Sequence, residues 1–187
     1  MSRRTGAGLS RKRVVEAGLN LVDREGVGAL TMRRLGRELG VEAMSLYGYV
    51  DSKKDLLDGV LERVYEELPP SLVADGPWQE RLRTTAFVFR RVLLRHPNMV
   101  SLVAARPVVN GSGARLVDSA KEDLQRCGLD PVRASQVLTA IVAFTVGHVA
   151  NEVGEQCSLG PDDRDASFAL GLDFIVSGID HHVSLHN

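Results

Sequence analysis

The stretch from Leu30 to Leu57, LTMRRLGRELGVEAMSLYGYVDSKKDLL, decides the fold. Thr31 is a residue type that caps helix N-termini, and helix-compatible residues follow it. Leu35 and Leu39 are four residues apart and therefore share one face of a helix. Gly40 stands where this helix has to end, the usual place of a left-handed C-terminal cap. The first part of the stretch therefore predicts a short, capped helix.

A second short helix is predicted over about 42–50, where Leu46 and Val50 can point inward while the other side chains stay on the surface. Asp51 or Ser52 then caps the next helix. Two helices joined by a tight glycine turn describe a helix-turn-helix, whose second helix can lie in the DNA major groove. This motif, over about residues 31–50, predicts contact with double-stranded DNA.

Three segments of the stretch, LTMRRLGRELGV, SLYGYV and DSKKDLL, together resemble the DNA-binding domain of the tetracycline-repressor (TetR) family of bacterial transcription regulators. The resemblance lies in the pair Leu46 and Tyr47, the aromatic Tyr49 and Lys53, in the order and spacing of the family. It implies a sequence-specific DNA-binding transcription regulator and no enzymatic activity. Without the resemblance, the same pattern also fits a three-helix piece of an ordinary helical protein.

The remainder of the chain predicts helices only, so the predicted fold class is all-α with about nine helices. Apolar spacing, caps and helix-ending Gly or Pro set approximate bounds: 10–25, 31–39, 42–50, 51–68, 78–95, 99–106, 114–127, 131–156 and 161–183. Residues 110–113, Asn-Gly-Ser-Gly, are predicted as a flexible turn. The predicted domains are a flexible basic arm over 1–9, a three-helix DNA-binding domain over 10–68, and a ligand-binding and dimerisation domain over 76–187.

Charge is distributed unevenly along the chain. The formal net charge is −1, but residues 1–55 hold eleven Lys and Arg against seven Asp and Glu, a net of +4. The remaining residues hold twelve against seventeen, a net of −5. A basic N-terminal piece attached to an acidic remainder fits DNA contact at one end only.

Composition and cysteine usage indicate a soluble, cytoplasmic protein. The chain is 44% hydrophobic and 25% charged, which is ordinary for a globular protein. Cys127 and Cys157 form no CxxC pair and are expected to be reduced thiols. No signal peptide is visible, and the least polar run, 137–150, is too short for a membrane span, so a buried helix is the preferred interpretation.

The resemblance continues, more loosely, through the rest of the chain. RHP (95–97), ARP (105–107), AIVAFTVGHVANE (140–152) and FALGLDFIVSGI (168–179) are similar to the ligand-binding and dimerisation domain of the tetracycline-repressor branch. This similarity implies a homodimer that binds palindromic DNA and a small-molecule effector, of unknown identity, that lowers the affinity for DNA. Repression rather than activation is implied only by the usual role of the members of this family, and the sequence of the operator does not follow from the chain.

The resemblance assigns DNA contacts residue by residue. A base or phosphate contact is implied for one arginine and one serine, and phosphate contacts for two tyrosines and one lysine. Two apolar residues that open the second helix can only meet thymine methyl groups or pack. Core packing is the alternative for the tyrosines, and Gly48 departs from the tetracycline sensor, which has a large aromatic residue there. The predicted DNA-binding residues are Arg33, Ala43, Met44, Ser45, Tyr47, Tyr49 and Lys53.

A ligand pocket is implied inside the C-terminal domain, where polar or aromatic residues on apolar helices are the candidates. For each of them, packing in the core is the ordinary role. Tetracycline, a metal ion and other cofactors are not expected, because the segment MVSLVAARP lacks the metal-holding histidine of that sensor and Asn151 stands in place of its glutamate. The predicted ligand-binding residues are Phe89, His96, Met99, Phe144, His148 and Asn151.

The last predicted helix carries an apolar stripe at i, i+3 and i+4 spacing, which is predicted to form the dimer interface. Gly171 and Gly178 lie seven residues apart on this helix and permit close approach of another helix. A core formed entirely within one chain is the alternative use of the same stripe. The predicted interface residues are Phe168, Leu172, Ile175 and Ile179.

Two other protein classes compete with this interpretation. An enzyme is disfavoured because the sequence contains no GxSxG, HExxH or glycine-rich phosphate loop. A helical interaction module without sequence-specific DNA binding is the second alternative. DNA binding that disappears at moderate salt and shows no sequence preference would favour the module.

Overall fold

The computed structural model of the protein describes residues 8–69, 76–106, 111–154, 158 and 160–186. The predicted basic arm over 1–9 lies outside the described residues, except for Gly8 and Leu9. Cys157 and the first residue of the predicted turn at 110–113 also lie outside them.

Within these ranges the secondary structure is helical and no strand occurs, so the predicted all-α class is confirmed. Short 3-10 helices cover Val27–Ala29, Ala43–Gly48 and Pro97–Met99. The α-helices are α1 (Arg11–Glu25), α2 (Met32–Leu39), α3 (Lys53–Tyr65), α4 (Trp78–Arg95), α5 (Val100–Ala105), α6 (Gly111–Arg126), α7 (Pro131–Val153) and α8 (Pro161–His186).

The chain divides between Val64 and Tyr65 into two compact units. The N-terminal unit contains α1, α2, the 3-10 helix Ala43–Gly48 and α3 up to Val64. The C-terminal unit contains α4 to α8. The domain bounds 10–68 and 76–187 stay a prediction, because residues 70–75 between them are not described.

Helix caps form at Thr31, Gly40 and Ser52, as the sequence predicted, and also at Ser10 and Asp130. The side chains of Ser10 and Thr31 accept hydrogen bonds from backbone N–H groups of α1 and α2, respectively. Gly40 ends α2 with φ of 69° and ψ of 30°, the left-handed conformation that glycine adopts at little cost. Ser52 is the cap of α3, since its Oγ accepts from the Asp55 N–H at 3.1 Å. Asp130 caps α7 through the N–H groups of its second and third residues.

The second helix of the motif was predicted over 42–50 and proves to be the 3-10 helix Ala43–Gly48. Glu42 precedes it without a side-chain cap hydrogen bond. Gly48 at its end disfavours α-helix, and short segments readily take the tighter 3-10 form. The Tyr49 N–H donates to the Leu46 carbonyl at 2.9 Å, the i to i−3 bond of a 3-10 turn.

Other helix ends differ from the predicted ones by about one helical turn. Helix α3 ends at Tyr65 rather than near 68, because the Leu68 N–H donates to the Tyr65 carbonyl in a turn that replaces the last helical residues. Helix α6 begins at Gly111 rather than 114, so the described part of the predicted turn is already helical. Gly111 enters the helix with φ of 74°, which a residue with a Cβ rarely adopts. Helix α7 ends at Val153, and α8 extends to His186.

Two glycines allow α1 and α3 to pack closely in the N-terminal unit. A Cβ on Gly18 would lie 3.0 Å from Cγ2 of Val60, and a Cβ on Gly59 would lie 2.9 Å from Cγ2 of Val15. Each glycine is thus covered by a valine of the opposite helix. The core beneath them is fully buried and consists of Val14, Leu21, Val22, Leu30, Leu35, Leu46, Leu56, Val60 and Val64.

The C-terminal unit packs around Phe168 and Leu172 of α8, both of which are fully buried. The rings of Phe87 and Phe144 lie 5.0 and 5.4 Å from the ring of Phe168. A Cβ on Gly171 would lie 2.6 Å from the Phe144 ring, so this glycine serves the contact between α7 and α8 within one chain.

Gly36 in α2 generates a stability prediction, because the turn backbone crosses directly over it. A Cβ there would lie 2.8 Å from the Val41 carbonyl oxygen and 3.2 Å from the Ala43 nitrogen. Backbone atoms cannot yield as a flexible side chain does, so we expect Gly36→Ala to lower the free energy of unfolding of this unit by about 2 to 3 kcal/mol. Urea unfolding followed by circular dichroism measures the change, and amide hydrogen exchange over residues 32–57 localises it.

Gly48→Ala is the matched control within the same motif. A Cβ at Gly48 meets nothing within 4 Å, so this variant should stay within about 0.5 kcal/mol of the unaltered protein. Equal stability of the two variants would show that the backbone of Val41 and Ala43 does not pack closely against Gly36.

Candidate nucleic-acid interface and cavity

The helix-turn-helix exposes the side chains that the sequence predicted to contact DNA. Met44 is 75% exposed, and Tyr47 and Tyr49 are 45% and 37% exposed. Arg33, Ser45 and Lys53 are exposed as well, whereas Ala43 is half-buried. The core-packing alternative for the two tyrosines is therefore disfavoured within the N-terminal unit.

Two buried side chains hold this surface in place. Leu46 is fully buried and Val50 is 1% exposed. Since the 3-10 helix between Ala43 and Gly48 turns through about 120° per residue, burial of Leu46 directs its neighbours on either side toward solvent. The exposed groups near Leu46 are one thioether, one serine hydroxyl and two phenols.

The cations of the N-terminal unit fall into two groups. The first group interacts with other residues of the chain and includes Arg24 and Arg34, which join α1 to α2 through Glu25 and Glu38 at N–O distances of 2.5 to 2.8 Å. The second group makes no ion pair within the described residues and comprises Lys12, Arg33, Arg37, Lys53 and Lys54. Only the second group leaves its charge available to an external polyanion.

Arg11 fixes the C-terminal end of the motif. Its guanidinium donates to both carboxylate oxygens of Asp55, at 2.7 and 2.6 Å, and to the Tyr49 carbonyl at 3.1 Å. The Asp51 N–H also donates to Asp55, at 2.9 Å. The Arg11 hydrogen bonds outweigh partial desolvation and lower the pKa of Asp55 to about 2. One ion pair thus ties the start of α1 to the start of α3 and to the backbone beside Tyr49.

The C-terminal unit contains a cavity of about 250 Å³. Its walls come from the segment Tyr65 to Pro69, from the first half of α4 and from α6. Trp78 and Leu82 give it an apolar side, while Arg81 and Asp123, which form an ion pair at 2.8 Å, give it a polar side. The cavity can hold a small molecule with one aromatic and one polar part.

Known proteins match both units. The family model described as bacterial regulatory proteins, tetR family, matches residues 14–60, and the model described as tetracyclin repressor-like, C-terminal domain, matches residues 70–158. The tetracycline repressor protein class D of Escherichia coli is 41% identical over 199 residues, which cover 93% of this chain and 90% of that protein. The chain belongs to the tetR family.

Two further relatives and one solved structure are similar to this chain, and the chain spans less than two thirds of the length of the two relatives. The transcriptional repressor DrrR1 of Streptomyces coeruleorubidus is 32% identical over 149 residues, 79% of this chain but 55% of that protein. The chain likewise spans 61% of a regulator from Saccharopolyspora erythraea. The crystal structure of a possible TetR family regulator from Streptomyces coelicolor is 27% identical and has a TM-score of 0.80, covering 92% of this chain and 99% of that one.

The predicted ligand residues do not line the cavity. Phe89 and Met99 are buried in the core, and the Phe89 ring stacks on that of Tyr65 at 6.2 Å. His96 lies with its Nε2 3.2 Å from Glu67. The ring of Phe144 lies 5.7 Å from that of His148. These five residues stay a prediction without support from the cavity.

Asn151 is a correction, because it is exposed and does not share the buried face of α7. That face runs through Ile141, Thr145, Val149 and Glu152, which follow one another at i+4, i+4 and i+3. Asn151 follows Val149 by two residues, about 200° around the helix axis, and therefore lies on the outer side of α7.

Sequence reasoning missed a buried ion cluster in this tetR-family unit. Arg90 donates to both oxygens of Glu152 at 2.7 and 2.8 Å and to Asp165 at 2.6 Å, and its guanidinium lies 5.0 Å from the centre of the Phe168 ring. His148 Nδ1 lies 2.6 Å from Glu152. Burial acts to raise the pKa of Glu152, but the hydrogen bonds from Arg90 and His148 prevail and lower it. Glu152 was recognisable as a lone carboxylate, four residues after a histidine, on an otherwise apolar stretch.

The predicted dimer stripe requires a correction too. Phe168 and Leu172 are fully buried and Ile179 is 8% exposed within the single chain, so they belong to its own core. Ile175 is half-buried against the same core. The apolar stripe of an amphipathic helix normally faces the core of its own domain. Phe168 and Leu172 are therefore not accessible to a second copy.

A different set of apolar side chains is exposed on α7 and α8. Phe174 is 69% exposed, and Leu170 lies one turn before it. Val142 and Val153 of α7 are exposed as well, and we use the word patch for these two residues together with Leu170 and Phe174 of α8. Helix α7 was predicted to be buried, but only 33% of its most apolar 18-residue stretch is buried. By length and composition α7 could also cross a membrane, a test that core helices of soluble proteins pass as well.

The Arg11–Asp55 pair generates a pH prediction. Because the folded-state pKa of Asp55 is about 2 and thus below its ordinary value, ionised Asp55 stabilises the fold above about pH 4, and this contribution is lost as the pH falls toward about 2. We expect Asp55→Asn to be less stable than the unaltered protein at pH 6 and the difference to shrink by pH 2.5. Urea unfolding followed by circular dichroism at both pH values measures it.

Arg11→Gln should reproduce the loss at pH 6, and Lys12→Gln is its matched control. Lys12 is the next residue, carries the same charge and makes no ion pair within the described residues. A stability difference between Asp55→Asn and the unaltered protein that stays constant from pH 6 to pH 2.5 would contradict the assignment.

Proposed function

We propose that the protein is a homodimeric, sequence-specific transcription regulator, a repressor that a small-molecule inducer releases from a palindromic operator. The exposed surface of Met44, Ser45, Tyr47 and Tyr49, held by buried Leu46, carries the proposal. Relatives named as repressors support it, namely the class D tetracycline repressor and DrrR1. The protein acts in the cytoplasm, where its DNA is, and needs no catalytic residue.

Each exposed group has a chemical task on DNA. Arg33 donates to a guanine edge or to a phosphate, and Ser45 exchanges a hydrogen bond with either. Met44 packs against a thymine methyl group, since it offers no hydrogen bond of the kind that reads other bases. The hydroxyls of Tyr47 and Tyr49 donate to phosphates. Lys53, in the first turn of α3, adds its charge to the positive end of that helix.

A second copy of the chain is needed because one such surface buries too little DNA for useful specificity. Dimers solve this by reading two half-sites about one helical turn apart, which is why the operator is palindromic. The patch of Val142, Val153, Leu170 and Phe174 is the part of the C-terminal unit suited to association. Covering exposed apolar side chains with a partner removes them from water, which lowers the free energy of the complex. The patch replaces the stripe that sequence periodicity suggested.

The cavity beside Trp78 is the effector site in this proposal. A TetR of Acinetobacter baumannii, 26% identical with a TM-score of 0.81, binds minocycline. We do not extend a metal-bound tetracycline to this chain, because α5 contains no histidine and Glu152 is already bound to Arg90. Release from DNA requires that the effector bind more tightly to the state with low DNA affinity.

A helical interaction module without sequence-specific DNA binding is the alternative function. It would use the unpaired cations, such as Arg33 and Arg37, for non-specific attraction to any polyanion. Binding of that kind falls steeply with salt and is equal for all DNA sequences.

The first prediction tests sequence-specific binding. We expect selection from a random DNA pool at near-physiological salt to recover one palindrome. Tyr47→Phe should then weaken binding about tenfold on every sequence, because it removes one hydrogen bond to a phosphate. Met44→Ala should instead weaken binding only to operators that keep the thymine methyl group opposite Met44, so replacing that thymine by deoxyuracil removes the difference.

Gly28→Ala serves as the control, since a Cβ there meets nothing within 4 Å and Gly28 lies outside the DNA-facing surface. Recovery of no preferred sequence by protein with an intact circular dichroism spectrum would reject the regulator in favour of the interaction module.

The second prediction tests the dimer. Phe174→Glu places a charge in the apolar patch, so we expect sedimentation velocity to show a shift from dimer to monomer. Operator affinity should fall at least tenfold with it, because each monomer then reads one half-site alone.

Val132→Glu is the matched control for Phe174→Glu. Val132 is 65% exposed, a similar fraction, but lies in the first turn of α7 and outside the patch. A Phe174→Glu protein that remains dimeric would exclude the patch as the interface.

A further inference from the structure

Three sides of α2 are occupied by other parts of the N-terminal unit. Leu35 is fully buried in the core, and a Cβ on Gly36 would lie 2.8 Å from the Val41 carbonyl oxygen of the turn. Arg34 reaches across to Glu25 of α1. Because successive residues of an α-helix are about 100° apart around its axis, these contacts leave the side roughly opposite Leu35 to solvent.

Arg33 and Arg37 share this remaining side. They are four residues apart, so about 40° separates them around the axis, and each lies about 160° from Leu35. Both side chains are exposed. Arg33 lies about 60° and Arg37 about 100° from Gly36, whose side faces the turn that leads into the segment Ala43–Gly48. The two arginines therefore border the exposed surface proposed for DNA contact.

Neither arginine is neutralised by an acidic side chain of the described residues. Glu38 is the only acidic residue of α2, and Arg24 and Arg34 donate to its two carboxylate oxygens at 2.8 Å each. Like charges four residues apart slightly destabilise a helix, so the pair brings the fold no benefit of its own. Two neighbouring guanidinium groups of this kind suit an external anion with a repeating charge.

The spacing of the two arginines fits one strand of DNA. Four residues of α-helix rise about 6 Å along the axis, and each strand of B-DNA carries one phosphate per about 3.4 Å of its own axis. Two long side chains that start about 6 Å apart can therefore reach two phosphates of the same strand. Guanidinium also binds phosphate oxygens through two parallel hydrogen bonds, which fixes orientation as well as distance.

We propose that Arg37 binds a DNA phosphate beside the contact of Arg33, so that α2 holds one strand while the segment Ala43–Gly48 meets the bases. Arg37 is thus a positioning residue, because a phosphate carries no sequence information. The inference rests on the proposed function and adds a contact that the family resemblance did not assign.

The dependence of DNA affinity on salt tests this contact. Fluorescence anisotropy of a labelled duplex that carries the selected palindrome measures the affinity of the full chain between about 50 and 200 mM potassium chloride. Each phosphate contact contributes about 0.9 to the slope of log affinity against log salt. Arg37→Gln should reduce this slope by about 0.9 per protomer and about 1.8 for a dimer, so affinity should fall about tenfold less over this range than for the unaltered protein.

Two further measurements separate a phosphate contact from a structural or base-reading role. Arg37→Lys retains the positive charge, so it should keep the slope of the unaltered protein. The affinity ratio between the palindrome and a duplex with one substituted base pair should be the same for Arg37→Gln and for the unaltered protein, because only base contacts set that ratio.

Arg91→Gln is the matched control. Arg91 is also an exposed arginine without an ion pair among the described residues, but it lies on α4 in the C-terminal unit. The substitution changes the net charge by the same amount and should leave the slope unaltered. Circular dichroism of all three variants shows whether the fold is retained.

Four results would overturn the inference: an unchanged slope in Arg37→Gln, the same loss of slope in Arg91→Gln, a loss of slope in Arg37→Lys, or a changed base-pair preference in Arg37→Gln. Each of them leaves the selected palindrome, and hence the regulator, in place. If selection recovers no palindrome, the same series on a duplex of random sequence decides. A reduced slope in Arg37→Gln there would support the phosphate contact and reject the regulator.

Discussion

The burial of Leu46 is the contact on which the DNA-facing surface depends. A helical segment of six residues has no stability of its own in water, because helix nucleation costs more than so few hydrogen bonds return. The segment Ala43–Gly48 persists since Leu46 enters the core of the N-terminal unit and the turn backbone presses on Gly36. The shape of this surface is therefore a property of tertiary packing and not of the segment 43–48 itself.

The same unit separates structural charges from available ones. Arg11, Arg24 and Arg34 are held by carboxylates, and Arg11 uses its pair with Asp55 to fix the backbone beside Tyr49. Exposed ion pairs contribute little free energy individually, so their main effect here is on geometry. The remaining cations keep their charge for a polyanion. The net charge of the chain is close to zero and does not distinguish paired cations from unpaired ones. The distinction requires the ion-pair partner of each cation.

Local chemistry explains which features could be predicted. The caps at Thr31, Gly40 and Ser52 depend on residues within four positions of one another, and they formed as the sequence indicated. The 3-10 form of residues 43–48 was not predicted, although Gly48 at the end of the segment disfavours α-helix. For the DNA-binding residues the sequence predicted exposure correctly, because Leu46 already supplied the inward anchor and left Tyr47 outside.

Packing between residues far apart in the sequence explains why the C-terminal unit was harder to predict. Periodicity on α8 identified an apolar stripe but not the surface that covers it, and Phe168 proved to be covered by the same chain, packed against Phe87 and Phe144. The cavity depends still more on distant residues. Its lining comes from the segment Tyr65 to Pro69, from α4 and from α6, which are far apart in the sequence. No spacing rule within one helix encodes that arrangement. In this chain, therefore, the exposed surface proposed for DNA contact follows from local sequence, whereas the cavity arises from contacts between helices.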